Sequence, residues 1–423
     1  MPSYHPAVTS RHVAPRRPRA LRHARARSRH PLLRGAAVVA TGVLAFAVAG
    51  TATVAANLQG NITSADVSDL VVPVDEPSTD ATPDPQDASA GQALDILVMG
   101  SDERDGENAA IGGSVEGMRS DTTILVHVSA DRSRAQLVSI PRDSLVEIPA
   151  CTATNGQTSR PRTDLFNSAF ATGADMGGDA ASAAACAISA VQVNTGVTVD
   201  HYVVVDFVGF TKMVDALGGV TMCIPEDMSS PMAGLQLSAG VQTLDGTTAL
   251  AFARARKGVG DGSDTSRLGR QQQLLAATLQ GLLSKNFLTD TGQLIGFFDA
   301  ATESLTTDPG LSSIADLTGL AFSLRGIDPA SITFLTIPFG PAPSDPNRVV
   351  WTPEADAVWA AIAADQPLPS SEPAAPAAPA TTDPAAPADP AASAPAAPEP
   401  TPTETKAAGQ EAFTGADVTA VCS

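Results

Sequence analysis

Thr122-Thr-Ile-Leu-Val-His-Val-Ser129, Ala130-Asp-Arg-Ser133 and Ala135-Gln-Leu-Val-Ser-Ile140 decide how this chain is built. Two runs of strand length, rich in Val, Ile and Leu, flank a short polar connection, the pattern of a hairpin. Working outward, residues 94–99, 201–207, 220–224 and 331–337 read as further strands for the same reason. Helical spacing is expected over 178–193, 207–217, 246–254, 264–285, 293–305, 312–324 and 353–364. Gly218-Gly219 stops the second of these before strand 220–224. Near-continuous apolar strands separated by helices imply an α/β fold whose sheet is covered on both faces.

The flanks speak to organisation. The first 34 residues hold nine arginines and no acid, and they lack hydrophobic periodicity, so 1–34 reads as a disordered basic arm. Residues 35–58 are uncharged and apolar, long enough to cross a hydrocarbon layer of about 30 Å. The basic flank then places the N-terminus in the cytoplasm and the rest outside a cell membrane spanned once. A cleaved signal peptide competes, since Ala52-Thr53-Val54-Ala55-Ala56 offers small residues to a peptidase; the length of the run favours a retained anchor. An arm binding nucleic acid fits poorly, because no DNA-binding domain follows the span. Residues 59–92 are read as a tether and 93–366 as the single folded domain. Residues 367–410 form a Pro/Ala-rich linker, and 411–423 a short tail that regains hydrophobic character and is expected to dock.

The four cysteines, at 151, 186, 223 and 422, all follow the span. An even count in an oxidising space suggests two disulfides with three connectivities open, of which Cys151–Cys186 with Cys223–Cys422 is favoured. Zinc is disfavoured, as no pair has ligand spacing.

The chemistry is concentrated in Arg254-Ala-Arg256-Lys257 through Asp261, Asp264, Arg267 and Arg270-Gln271. With nine of 26 basic residues in the arm, the remainder is more acidic than the net charge of −19 conveys. Cations gathered in an acidic domain mark an anion site, and planar guanidinium forks suit phosphate. Arg267, Arg270 and Gln271 fall in the first two turns of helix 264–285, where free N–H groups also favour an anion. Strand 94–99 runs into Gly100-Ser-Asp-Glu-Arg104, and Arg119-Ser-Asp121 opens strand 122–129. Ligands collect beyond the carboxyl ends of strands in such sheets, so Asp102 and Arg104 stand where chemistry is done. Asp102 and Asp121 are expected to converge on one hard cation, Mg2+ or Mn2+, shared with phosphate oxygens. Glycine-bearing 106–117 between them reads as a lip over the site. Pro141 ends strand 135–140 and presents Arg142, with Asp143 placed to orient it. Asn167 reads either as a helix cap or as a ligand contact. His127 and His201 lie inside strands and read as structural. Walker and Rossmann fingerprints are absent, as is any serine or cysteine triad, which leaves arginines, acids and a metal: equipment for moving a phosphoryl-linked group.

These motifs, in this order over 94–285, resemble the LytR–CpsA–Psr family of bacterial cell-envelope enzymes, in its high-GC Gram-positive form. The phrase His201-Tyr-Val-Val-Val-Asp-Phe-Val-Gly-Phe210 and the cysteine placements carry the latter point. The resemblance implies a layered α-β-α domain with a central mixed sheet behind one membrane anchor. It implies transfer of a glycopolymer from a polyprenyl-pyrophosphate carrier to peptidoglycan through a phosphodiester. It gives the metal to Asp102 and Asp121, and pyrophosphate contacts to Arg104, Arg119, Arg142, Arg254, Arg256, Arg267, Arg270 and Gln271. Arg142, Arg254 and Asp264 would be catalytic, and an apolar pocket for the isoprenoid tail is implied around 207–217 and 275–298. Phe252 stands where members often carry tyrosine. Two other readings remain open: a pyrophosphatase acting on polyprenyl-linked glycans, and a non-enzymatic receptor for them.

Overall fold

The computed structural model describes residues 58–74, 91–103, 117–285, 290–369 and 411–415, with 53, 56, 108, 111, 409 and 417 as isolated positions. The basic arm, nearly all of the expected membrane span, most of the linker and lip, Arg104 and Cys422 lie outside them. Among the described residues no helix is long and apolar enough to cross a membrane. The chain divides between Val54 and Ala55 into two units, and the second carries the fold described below.

Strand β1 (Thr63–Ser64) precedes β2 (Leu94–Ser101), β3 (Ser120–Val128) and β4 (Ala135–Ile140). A hairpin of β5 (Leu145–Ile148) and β6 (Arg162–Leu165) leads to helices α1 (Asn167–Gly177) and α2 (Ala180–Thr195). After β7 (His201–Val205) and α3 (Phe207–Ala216) come short strands β8 (Val220–Ile224), β9 (Met228–Ser230), β10 (Leu235–Leu237) and β11 (Gly240–Leu244). Helices α4 (Gly246–Arg254), α5 (Asp264–Leu283) and α6 (Thr291–Ser304) follow, then β12 (Leu305–Thr307) and α7 (Ile314–Leu324). Strand β13 (Ile332–Thr336), hairpin β14 (Phe339–Ala342) and β15 (Asp345–Trp351), α8 (Pro353–Ala363) and β16 (Phe413–Thr414) complete the order.

Eight strands form one mixed sheet in the order β1-β12-β7-β2-β3-β4-β13-β16. Pairs β1–β12, β7–β2 and β4–β13 are parallel, the others antiparallel. Because side chains alternate along a strand, neighbours face opposite layers. Leu125, Val138 and Leu335 join a core with α1, α2 and α8. Ile124, Leu137 and Phe334 join another with Ala276 of α5 and with Phe413. The strands read as continuously apolar because both faces are covered, giving the expected α-β-α layering.

Aspartates set several helix starts. Asp206 accepts from the Gly209 N–H at 2.6 Å, so the strand expected to reach 207 ends at Val205. Asp179 likewise accepts from Ser182 N–H at 2.7 Å, and α2 begins at Ala180. Between α1 and α2 a Cβ on Gly173 would lie 2.0 Å from the Ser182 carbonyl oxygen, so only glycine admits this helix contact. Asn167 does not cap α1: Phe166 holds the cap position in helical conformation, and Asn167 is the first helical residue.

The tether expected over 59–92 is corrected where it is described. Residues 63–72 belong to the fold: β1 pairs with β12, Val67 is buried in the core, and Tyr202 donates its hydroxyl to Ala65 O at 2.8 Å. Ser189 Oγ and Gln192 Nε2 bond the N–H and carbonyl of Val72 at 3.1 and 2.6 Å. The tail docks as expected, β16 pairing with β13 and Phe413 stacking on Phe334 with ring centroids 5.0 Å apart. Cys151 and Cys186 are bonded to each other. Cys223 is disulfide-bonded as well, while Cys422, its expected partner, lies outside the described residues.

Candidate functional site

Strands β2, β4, β7 and β13 all end at the sheet edge where antiparallel β3 begins. Thr123 faces Ile140 across the last pair of β3 and β4, so two residues farther Asp121 meets Arg142. Asp121 Oδ1 lies 2.7 Å from Arg142 Nη1. The turn that carries Arg142 is held through four successive carbonyls. Pro141 O accepts from Ser144 N–H at 3.1 Å, Arg142 O from Asn167 N–H at 3.1 Å, Asp143 O from Val349 N–H at 3.2 Å and Ser144 O from Phe166 N–H at 2.8 Å. Trp351 Nε1 donates to the buried Ser144 Oγ at 3.1 Å. Asp143 Oδ2 is 3.5 Å from Arg142 Nε, so the two form an ion pair.

Helix α5 enters from above this edge. Ser263 caps it, accepting from Ser266 N–H at 3.1 Å, and Gln272 fixes it to the sheet through Ser139 Oγ at 2.9 Å and Thr336 Oγ1 at 3.1 Å. Its first turn brings Asp264 and Arg267 onto the Asp121–Arg142 pair. Asp264 Oδ1 is 2.7 Å from Arg267 Nη2, 3.4 Å from Arg142 Nε and 3.9 Å from Arg256 Nε. Arg267 Nη1 is also 3.8 Å from Asp121 Oδ2. Charge, rather than aligned hydrogen bonds, holds Asp264: both its carboxylate oxygens are buried without a hydrogen-bond partner, as is Arg142 Nε. Burial opposes the charge on Asp121, yet Arg142, Arg267 and Arg256 hold its carboxyl below the usual range. Arg142 is also partly desolvated, but Asp121, Asp264 and Asp143 push its pKa up. Arg267, 3 % exposed at its side chain, is lowered by burial and by neighbouring Arg142, which Asp264 and Asp121 only partly offset. The buried Arg267, whose charge its acids only partly compensate, favours an incoming anion.

The remaining candidates divide. Asp102 and Arg119 adjoin: Asp102 N–H donates to Arg119 O at 2.8 Å and Arg119 N–H to Asp102 Oδ1 at 2.6 Å, leaving the Arg119 side chain exposed. Arg254 ends α4 with its guanidinium 4.4 Å over the Phe207 ring. Arg270 donates to Ser266 Oγ at 2.8 Å and to Ala255 O, and Gln271 Nε2 donates to Ala253 O at 3.2 Å. Arg104 lies outside the described residues. No cluster of three or more His, Cys, Asp or Glu fit to hold a metal occurs among the described residues. Asp102 and Asp121, near the adjoining ends of β2 and β3, offer carboxylate oxygens of the kind a hard cation takes, and in this structure they accept from Arg119 N–H and pair with Arg142.

The β14–β15 hairpin, which supplies Val349 and Trp351 to the Arg142 turn, was not anticipated. Its only local signal is the alternation around 345–351, and its role depends on a partner 207 residues earlier in the chain. Asn108 was also missed. It bridges to α3, donating from Nδ2 to Asp206 Oδ2 at 2.9 Å and accepting from Val208 N–H at 3.0 Å.

The chain is similar to the cell wall biosynthesis protein LcpA of Corynebacterium glutamicum, 32% identical over 271 residues, or 60% of this chain and 51% of LcpA. It is 32% identical over 232 residues to a Halalkalibacterium halodurans protein named polyisoprenyl-teichoic acid–peptidoglycan teichoic acid transferase TagU, covering 55% of this chain and 66% of TagU. The chain thus spans between about half and just under two thirds of the length of these curated relatives. A crystal structure of a Streptococcus agalactiae protein shares the fold, with a TM-score of 0.50 at 22% identity, over 64% of this chain and 87% of that one. The LytR_cpsA_psr family model matches residues 54–362, which include every element that builds the site, and the chain therefore belongs to the LytR–CpsA–Psr family.

Proposed function

We propose that this protein transfers a glycopolymer from a polyprenyl-pyrophosphate carrier to peptidoglycan, forming a phosphodiester and releasing polyprenyl phosphate. The observation that carries the reading is the convergence of Arg142, Arg267 and Arg256 with Asp121 and Asp264 at one sheet edge, from three separated segments. Guanidinium forks placed against a diphosphate neutralise charge that develops on the leaving phosphate, and placement of this kind is most of what phosphoryl-group transfer requires. The names of the relatives, one for cell wall biosynthesis and one for teichoic acid transfer to peptidoglycan, support the same direction.

In this reading a muropeptide hydroxyl, that on C6 of N-acetylmuramic acid, attacks the sugar-linked phosphorus. The new P–O bond forms as the bond to the bridging oxygen breaks, and that oxygen leaves with its electron pair on polyprenyl phosphate. The hydroxyl proton goes to Asp264, at Oδ2, since Oδ1 faces the guanidinium groups of Arg267, Arg142 and Arg256. Asp102 and Asp121 would hold Mg2+ or Mn2+ with the diphosphate, supplying further charge neutralisation. An anchor at 35–58 would keep the site beside its membrane-borne donor and raise the effective concentration.

The test incubates the purified chain with a defined polyprenyl-pyrophosphoryl oligosaccharide and nascent peptidoglycan. Transfer yields a larger conjugate. Free glycan phosphate alone would identify a pyrophosphatase instead, and binding without turnover a receptor.

A further inference from the structure

Arg142 meets its acids through one aligned hydrogen bond, that to Asp121 Oδ1 at 2.7 Å. Asp264 and Asp143 lie 3.4 and 3.5 Å from its Nε, an atom that has no hydrogen-bond partner. Attraction from several sides does not by itself fix a guanidinium, so its place depends on the backbone that carries it. We propose that Trp351 is a positioning residue for Arg142, acting through the hydroxyl of Ser144. The role rests on the reading of this edge as a pyrophosphate site and adds to it a residue from the far end of the fold's sequence.

Ser144 closes the turn. Its N–H donates to Pro141 O at 3.1 Å, which places Arg142 at the second position of the turn, and its carbonyl accepts from Phe166 N–H at 2.8 Å. Ser144 is fully buried, and its Oγ accepts from Trp351 Nε1 at 3.1 Å. A buried hydroxyl that loses its protein partner has no water to replace it, so this bond ties the turn to β15. Val349, two residues before the tryptophan, donates its N–H to Asp143 O at 3.2 Å and bridges Ser144 in parallel register. The strand thus grips both residues that follow Arg142, one through the main chain and one through a side chain.

Trp351 is itself held from two sides. It ends β15 opposite Phe339, and its ring lies against that of Trp359 in α8, with centroids 5.5 Å apart. Phenylalanine would serve that packing too; what tryptophan adds is an N–H with the reach to bond the turn. The two are the only tryptophans of the chain. Trp359, 3% exposed, leaves its own Nε1 buried without a partner, so its ring serves packing alone. The indole that does spend its N–H spends it on the residue that closes the Arg142 turn.

The test uses the full-length protein. Trp351→Phe keeps an aromatic ring against Trp359 and removes the donor, and Ser144→Ala removes the acceptor. Each should lower kcat for transfer about tenfold with KM changed less than about twofold, and the double variant should lose no more than either alone. In the Arg142→Ala background Trp351→Phe should cost less than about twofold. An equal loss in both backgrounds, or a loss confined to KM, means that Trp351 acts elsewhere and overturns the proposal. Without substrate, amide exchange at Asn167 and Val349, the donors to Arg142 O and Asp143 O, should accelerate at least about fivefold in Trp351→Phe while amides of β2 and β3 keep wild-type rates. Unchanged exchange at those two positions overturns the proposal, and so does equal acceleration throughout the sheet, which marks a general loss of stability. Failure of the wild type to transfer counts against the pyrophosphate reading, while the exchange experiment still decides whether Trp351 places the turn.

Discussion

Asp121 Oδ1 and Arg142 Nη1 are 2.7 Å apart, two residues beyond the last paired residues of two antiparallel strands. The ladder that aligns Thr123 with Ile140 therefore sets the geometry of the ion pair. An acid expected to bind metal and an arginine expected to bind phosphate are held against each other before either ligand arrives. A dianionic ligand and a divalent cation can enter together without disturbing this balance of charge, whereas either alone must compete with the existing pair.

Arg142→Ala should lower transfer about 10²- to 10³-fold, the loss typical of removing one preorganised donor to developing charge. The backbone bonds of residues 141–144 do not involve the side chain, so the melting temperature should change little. Turnover of a lipid-linked oligosaccharide, measured beside a melting curve, checks both parts. Normal turnover in this variant would remove Arg142 from the chemistry.

Chelation should abolish turnover and added Mg2+ should restore it. Asp102→Ala and Asp121→Ala should each raise the Mg2+ concentration needed for half-maximal rate. A titration of rate against metal for the three proteins gives the answer, and superimposable curves would exclude these two carboxylates as ligands.

His127 predicts a pH dependence of stability. The buried ring lies between Asp95 Oδ1 at 2.9 Å and Asp365 Oδ1 at 3.1 Å, with Arg134 bonded to Asp365. Burial opposes protonation, but the two carboxylates outweigh it and raise the pKa above 6.5. Asp95 is itself pushed up by burial, a shift whose effect on stability begins at lower pH, just above the ordinary carboxylate range. A folded pKa above the unfolded one stabilises the protein fully below about pH 6.5, and that contribution is lost as pH rises through the folded value. The melting temperature should decline over this window, and His127→Gln should flatten the decline.

How much of this could be read in advance depended on the range of the forces involved. Strands 135–140 and 220–224 and helix 246–254 were legible to the residue, because apolar periodicity and the flanking Gly218-Gly219 and Asp245 are local signals. The arginines and acids of the site were legible as residue types at strand and helix ends. Their sorting was not. Nothing local separates Arg267, which meets Asp121 and Asp264, from Arg270, which turns to Ala255, since three positions along a helix change both face and neighbours. Residues 63–72 read as a tether because they open the stretch 59–92, which as a whole is acidic and rich in Pro, Ser and Asp; their partners, β12, Ser189 and Tyr202, lie over a hundred positions away.

Cys151→Ser should destabilise the fold by about 3 kcal/mol, because the bond to Cys186 closes a loop of 35 residues and constrains the unfolded chain. Denaturant melts with and without reductant would check this, and a variant as stable as the oxidised parent would refute it.

Phe413→Ala should release the tail. Phe413 is 3% exposed and stacks on Phe334, and truncating a buried phenylalanine costs about 3 kcal/mol. Limited proteolysis should then cut near 411–417 well before global unfolding. Unaltered cleavage would mean that the tail is held elsewhere.

Docking of that tail has a mechanical consequence. The stretch 367–410 leaves from α8 and returns to β13, so a pull on it is resisted at two anchors. On the returning side the first described residue is Gly409, where a Cβ would lie 2.6 Å from Thr265 O and 2.7 Å from Gly269 N. Those atoms belong to the turn of α5 that carries Arg267. Tension on that stretch would thus be delivered to α5 itself, and the seat of Gly409 is where it would be felt.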